Sequence, residues 1–174
     1  GEVEKQGAVN VSAFTSMINA LLNCGGIKHT GSLRRVELKR SGKIITTLDL
    51  YDLLLDGDTS ADQAIQPGDV IFVPTIAKQI SVNGAVRRPA KYEILEEDTL
   101  QDAVRLAGGT TQHSVLSRIR IERLNEDFQP EVRNFNYQEN KDNKILSGDL
   151  ISIGIAGSNI RNIVSIIGPV ENEG

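Results

Sequence analysis

The residues that usually carry chemistry are scarce in this chain. Its 174 residues include one cysteine, two histidines, no tryptophan and only 4% aromatic residues. The single cysteine, Cys24, excludes an internal disulfide. With His29 and His113, which do not align between the two halves, it makes no zinc set, because such a site takes three or four ligands at fixed spacings. No run of about 18 apolar residues occurs. The nearest, 151–168, is interrupted by Asn159, Arg161 and Asn162, so no segment reads as a membrane-spanning helix. No basic start leads into an apolar stretch of signal-peptide type. A net charge of −4 gives no general reason to expect nucleic acid or an anionic membrane as partner. Gly-x-Ser-x-Gly and P-loop patterns are both missing. The acidic stretch 56–62 fails the EF-hand test, with Ala61 where the loop needs glycine and Pro67 where it needs glutamate. These gaps argue against an enzyme, a cofactor and a metal.

What the chain has is repetition. Gly108-Gly109 follows Gly25-Gly26 by 83 residues, as Leu116 follows Leu33, Arg118 follows Arg35 and Arg123 follows Arg40. Upstream, Gly84-Ala85-Val86 stands in the same relation to Gly1-Glu2-Val3. Gly168-Pro169-Val170 opens the phrase again. A period this long means tandem copies of a small domain. The expected division is 1–77 for copy one, 78–160 for copy two, and 161–174 for the start of a third. The expectation is a segment cut from a longer chain.

Each copy spells out the same elements. Ile80, Val82 and Val86 run into the bend Arg87-Arg88-Pro89-Ala90, and Tyr92 and Ile94 mark a second short strand. Thr99 with Asp102 forms a capping box. Leu100, Ala103, Val104 and Ala107 then share one helix face, matched in copy one by Met17, Ala20, Leu21 and Cys24 behind Thr15 or Ser16. The glycine pairs at 25–26 and 108–109 follow these helices. They read as left-handed terminators, not as phosphate-binding amides, which precede a helix. Alternating strands follow: Val36 and Leu38 against Arg35, Glu37 and Lys39, then Ile119 and Ile121 against Arg118, Arg120 and Glu122. Ser41-Gly42 predicts a tight hairpin, and Asp49 caps a short helix. The counterpart of that helix, 136–143, is too polar to be expected helical. Pro67-Gly68-Asp69 and Ser147-Gly148-Asp149 each turn into a final strand. The fold class is therefore α+β: two tandem β-grasp domains, each one main helix on a mixed, mostly antiparallel sheet of four or five strands, plus the first strand of a third copy.

These phrases together resemble the soluble-ligand-binding β-grasp (SLBB) domains of bacterial capsule and exopolysaccharide export proteins. The resemblance rests on the run from Val82 to Tyr92, on Thr99-Leu100-Gln101-Asp102-Ala103, on Ala107-Gly108-Gly109, and on the ending Pro67-Gly68-Asp69-Val70-Ile71-Phe72-Val73-Pro74. Copy one departs from it with Gln6 where the family favours proline. The resemblance implies a non-catalytic periplasmic module of an outer-membrane-associated protein in a Gram-negative bacterium. It implies ring assembly with other copies of the protein, and contact with polysaccharide and inner-membrane export components. The same domain type also implies an alternative, a module for a small soluble ligand such as a sugar or cobalamin.

The residues available for such a ligand are few. Tyr92 offers a ring that could stack on a sugar, with packing beside the bend as the other reading. Arg87 and Arg88 in the bend, and Arg118 and Arg120 on the strand, could meet an acidic polysaccharide. Glu37 and Glu122 dilute that charge, so Arg34, Arg35 and these strand arginines read mainly as a solvated face or one that pairs with a neighbouring subunit. The structural turns are Gly25, Gly26, Gly108, Gly109, Pro67, Gly68, Asp69 and Gly84.

Overall fold

A computed structural model describes residues 1–12, 14–125 and 127–157. The expected third copy at 161–174 lies outside the described residues. Copy one runs α1 (Met17–Asn23), β1 (Val36–Arg40), β2 (Lys43–Leu48), α2 (Leu50–Asp56) and β3 (Val70–Phe72). Copy two runs β4 (Gln79–Gly84), β5 (Ala90–Glu93), α3 (Leu100–Leu106), β6 (Ser114–Leu124), β7 (Pro130–Phe135), α4 (Tyr137–Asn140) and β8 (Leu150–Ile155). Its five-stranded sheet has the order β5-β4-β8-β6-β7, with β4 and β8 parallel and the other pairs antiparallel. Copy one's sheet has three strands, β2-β1-β3, all antiparallel. Both helix faces named from the periodicity lie inward. Met17 and Leu21 pack with Val36, Leu38, Leu48 and Val73; Leu100, Ala103, Val104 and Ala107 pack with Ile119, Ile121, Ile151 and Ile153.

The two copies share a set of corresponding hydrogen bonds. Ser16 and Thr99 cap the main helices, Thr99 in a full capping box with Asp102. The helix ends close alike, Gly26 donating to the Leu21 carbonyl and Gly109 to that of Val104, both at 2.9 Å. Glu2 donates to the Val73 carbonyl at 2.9 Å and Ala85 to that of Ile153 at 3.1 Å. Gly1 thus occupies the place of Gly84, the last residue of β4. Among the described residues copy one has no counterpart of β5, and Val3 makes an isolated bridge to Ile27, as Val86 does to Thr110. The expected four or five strands therefore hold in copy two alone.

A second difference lies in the polar segment expected to be non-helical. Asn136 accepts from the Gln138 amide and starts α4, just as Asp49 accepts from Tyr51 and starts α2. A side-chain cap nucleates one turn where propensity is poor. The spacing explains why the match was hidden. Arg123 follows Arg40 by 83 residues, Asn136 follows Asp49 by 87, and Asp149 follows Asp69 by 80. Copy two gains length before the cap and loses more after it. Phe14, just ahead of α1, is 94% exposed.

The aspartate of each turn is locked by an arginine from the charged strand. Arg40 grips Asp69 with both guanidinium nitrogens at 2.8 Å, and Arg123 grips Asp149 at 2.7 Å. Each carboxylate also accepts a backbone N–H at 2.8 Å, from Gln66 and Leu146 respectively. The Arg40 hydrogen bonds hold the Asp69 carboxyl below its ordinary value; the Gln66 amide and the Arg40 charge add to this, and burial opposes it. A depressed carboxylate contributes stability above its unfolded pKa, and that contribution is lost as pH falls through the folded value. The urea midpoint is thus expected to hold from neutral pH down to about 4, the ordinary aspartate range, and to fall below it. Arg40→Leu should flatten that acid-side fall, which urea titrations across pH measure directly.

Candidate functional site

The five residues singled out for ligand binding do not converge. Arg87 is exposed, with its amide donating to the Gly109 carbonyl at 3.0 Å. Arg88 is exposed and folds over the C-terminal end of α3. Its guanidinium reaches the Leu106 carbonyl at 3.5 Å and lies 2.9 Å from where a Cβ on Gly108 would stand. Tyr92 is buried at 8% exposure, and its hydroxyl donates to the Arg88 carbonyl. Its ring lies in the core beside Tyr51, centroids 6.4 Å apart, and is not presented as a flat face. Arg118 and Arg120 are exposed on the face of the sheet opposite α3, where Arg120 pairs with Glu122 at 3.1 Å. Bend and strand arginines therefore lie on different sides of copy two.

The polar centre lies elsewhere, at the seam between the copies. Glu93, the last residue of β5, is 3% exposed. Its carboxylate accepts from the Ser32 hydroxyl at 2.7 Å, the Leu33 amide at 2.9 Å and the Arg34 amide at 3.3 Å. Arg34 is itself buried and spans the seam. Its Nε donates to Asp49 at 2.8 Å within copy one, and its terminal nitrogen donates to Asp98 of copy two. Asp98 also accepts the Leu95 amide at 2.9 Å. Burial works against the Arg34 charge, but the hydrogen bonds and charges of Asp49 and Asp98 outweigh it and push its pKa up. Tyr51 completes the set. Its hydroxyl accepts the Glu93 amide at 3.3 Å, and its ring lies 5.7 Å from the Arg34 guanidinium. Burial pushes the Tyr51 phenol up, so it stays neutral.

Two expectations change here. Arg34, read with the solvated strand arginines, is a buried tie between domains. The helix Asp49 caps is part of the joint, since Tyr51 and Leu55 pack against the core of copy two and Arg105 of α3 bridges to Asp56. Among the described residues no buried side-chain nitrogen or oxygen lacks a partner. A buried polar network that is fully satisfied rigidifies and specifies one arrangement. A signal for it was present in the sequence: the seam charges break the repeat. Arg34 stands where copy two has Ser117, Glu93 where copy one has Asn10, and Asp98 where copy one has Thr15.

Beside the seam lies an open cleft of about 230 Å³ lined by Lys28, His29, Leu33, Tyr51, Ile76 and Lys91, among others. Lys28 and Lys91 have no ion-pair partner among the described residues. A smaller hollow of about 120 Å³ lies under β7, at Arg123, Arg133 and Phe135. Both are below the roughly 300–1,000 Å³ of typical small-molecule pockets. The acidic stretch is dispersed, with Asp56 on Arg105, Asp58 on the Ser60 amide and Asp62 on the Ile18 amide. No group of three or more metal-ligating side chains occurs among the described residues. None of their helices is long and apolar enough to cross a membrane.

Comparison with protein families gives two matches. Residues 1–73 match one model described as an SLBB domain, and residues 79–132 match a second model of the same description.

Proposed function

Because this chain belongs to the SLBB domain family, we propose that it is a non-catalytic periplasmic module of a bacterial polysaccharide export protein, holding subunits in register around an export conduit. SLBB domains are binding modules known from polysaccharide export proteins. The observation that carries the reading is the seam: Glu93, Arg34 and Asp98 join two small domains through buried, fully paired charges. A module that sets geometry needs such a joint. A receptor needs a deep pocket, and the clefts here are small and open. Other copies of the protein, polysaccharide and inner-membrane export components are its partners on this reading.

The alternative, a small-ligand module for a sugar or a cobalamin-like molecule, draws support from one observation, the Lys28 and Lys91 cleft. Calorimetric titration of the 174-residue chain with acidic capsule oligosaccharides and with cobalamin separates the two readings. The architectural reading predicts no saturable heat at micromolar concentration, together with a multimeric mass for the full-length protein in detergent. Saturable micromolar binding that Lys28→Ala and Lys91→Ala abolish overturns it in favour of the ligand reading.

A further inference from the structure

The outer faces of the two sheets, turned away from α1 and α3, exchange the sign of their charge at two corresponding strand positions, while the next position, Arg35 in copy one and Arg118 in copy two, keeps it. In copy one, Lys39 sits between Ile44 and Val70 across the strands, and Glu37 between Thr47 and Phe72. At the corresponding places in copy two, Glu122 sits between Val132 and Leu150, and Arg120 between Asn134 and Ser152. Each face thus has one row reading apolar–charged–apolar and one charged residue of opposite sign beside it, with the signs exchanged between copies. Ile44, Val70, Phe72 and Val132 are all exposed. Within each strand the charges pair with one another, Lys39 with Glu37 at 2.8 Å and Arg120 with Glu122 at 3.1 Å, and the Lys39 ammonium also lies 4.5 Å from the centre of the Phe72 ring. These pairs are partly exposed, and ion pairs in contact with solvent are worth little and re-pair at little cost.

From this we infer that the outer face of copy one in one molecule docks on the outer face of copy two in a second molecule, with β1 and β6 running parallel. Glu37 then meets Arg120, Lys39 meets Glu122, and the flanking Ile44 and Val70 lie against Val132 and Leu150. Aligned face-to-face packing of sheets is a standard geometry. The contact is heterologous, so it propagates from molecule to molecule and closes into a ring or runs on as a chain. The inference deepens the assembly reading above and rests on it.

Sedimentation velocity of the 174-residue chain over a concentration series tests it with charge swaps that keep composition and the in-strand pairs. Glu37→Lys with Lys39→Glu should weaken association at least about tenfold, because like charges then face each other. Arg120→Glu with Glu122→Arg should do the same, and the four changes together should restore it. Thermal melts of each variant confirm folding. Association that is unmoved by either swap, or that stops at a two-fold dimer pairing like faces, overturns this interface while leaving the assembly reading in place. A wild-type chain that stays monomeric throughout also overturns it; the mass of the full-length protein in detergent then decides the assembly reading separately.

Discussion

Arg34→Ala should lower unfolding free energy by about 3–5 kcal/mol, the cost of breaking a buried ion pair from one side. The loss is large because two carboxylates are left behind. Asp98 is buried and Asp49 nearly so, and both would face the seam without a counter-charge. For a domain of about 80 residues, total stability is roughly 4–12 kcal/mol, so the change removes much of it. It should also split the transition, because Arg34 ties Asp49 of copy one to Asp98 of copy two. Differential scanning calorimetry should show one transition for the wild type and two for the variant. Adding Asp98→Asn should recover part of the loss, since the penalty lies in the stranded charge. An Arg34→Ala protein that melts as a single unit within about 1 kcal/mol of wild type, a typical effect for any substitution, contradicts the role given to the seam.

The second large effect is expected at Gly84. Its φ is +84°, and a Cβ there would drive into the Ile153 carbonyl of β8, the parallel neighbour of β4. Alanine therefore meets two penalties. The left-handed backbone costs about 1–2 kcal/mol. The forced separation of β4 from β8 weakens hydrogen bonds worth about 1 kcal/mol each, including the one from Ala85 to Ile153. Gly109 supplies the control, with φ of +83° and nothing within 4 Å of where a Cβ would stand. Gly109→Ala should show the backbone penalty alone. Urea denaturation should thus rank Gly84→Ala well below Gly109→Ala, and equal losses would show that β4 and β8 do not approach as described.

Local rules accounted for much of this fold, most fully around α3. Thr99 and Asp102 cap α3, the apolar spacing from Leu100 to Ala107 gives its buried face, and the glycine pair ends it. Comparison between copies strengthened the reading, since each phrase repeated at fixed spacing is a second, independent sample of the same element. The same comparison hid α4, because the spacing shifts by four residues before Asn136 and by seven after it (83 to 87 to 80). The seam was the least legible part. Arg34 lies in a strand-like run of arginines, and nothing local distinguishes a buried arginine from its solvated neighbour Arg35. Only the partners Asp49 and Asp98, distant in sequence, decide its place. Tyr92 shows the same dependence on packing: it lies on the inner face of β5, and its ring fills the core.

The fixed joint between the two copies is tested most directly at one of its amides. The Leu33 N–H of copy one donates to the Glu93 carboxylate of copy two. Hydrogen exchange at Leu33, followed by NMR, reads whether that contact persists. Protection comparable to that of Ile151 in the centre of copy two is the predicted result. Exchange at the rate of an open loop would mean that the copies separate freely, and the account of a fixed joint would be wrong.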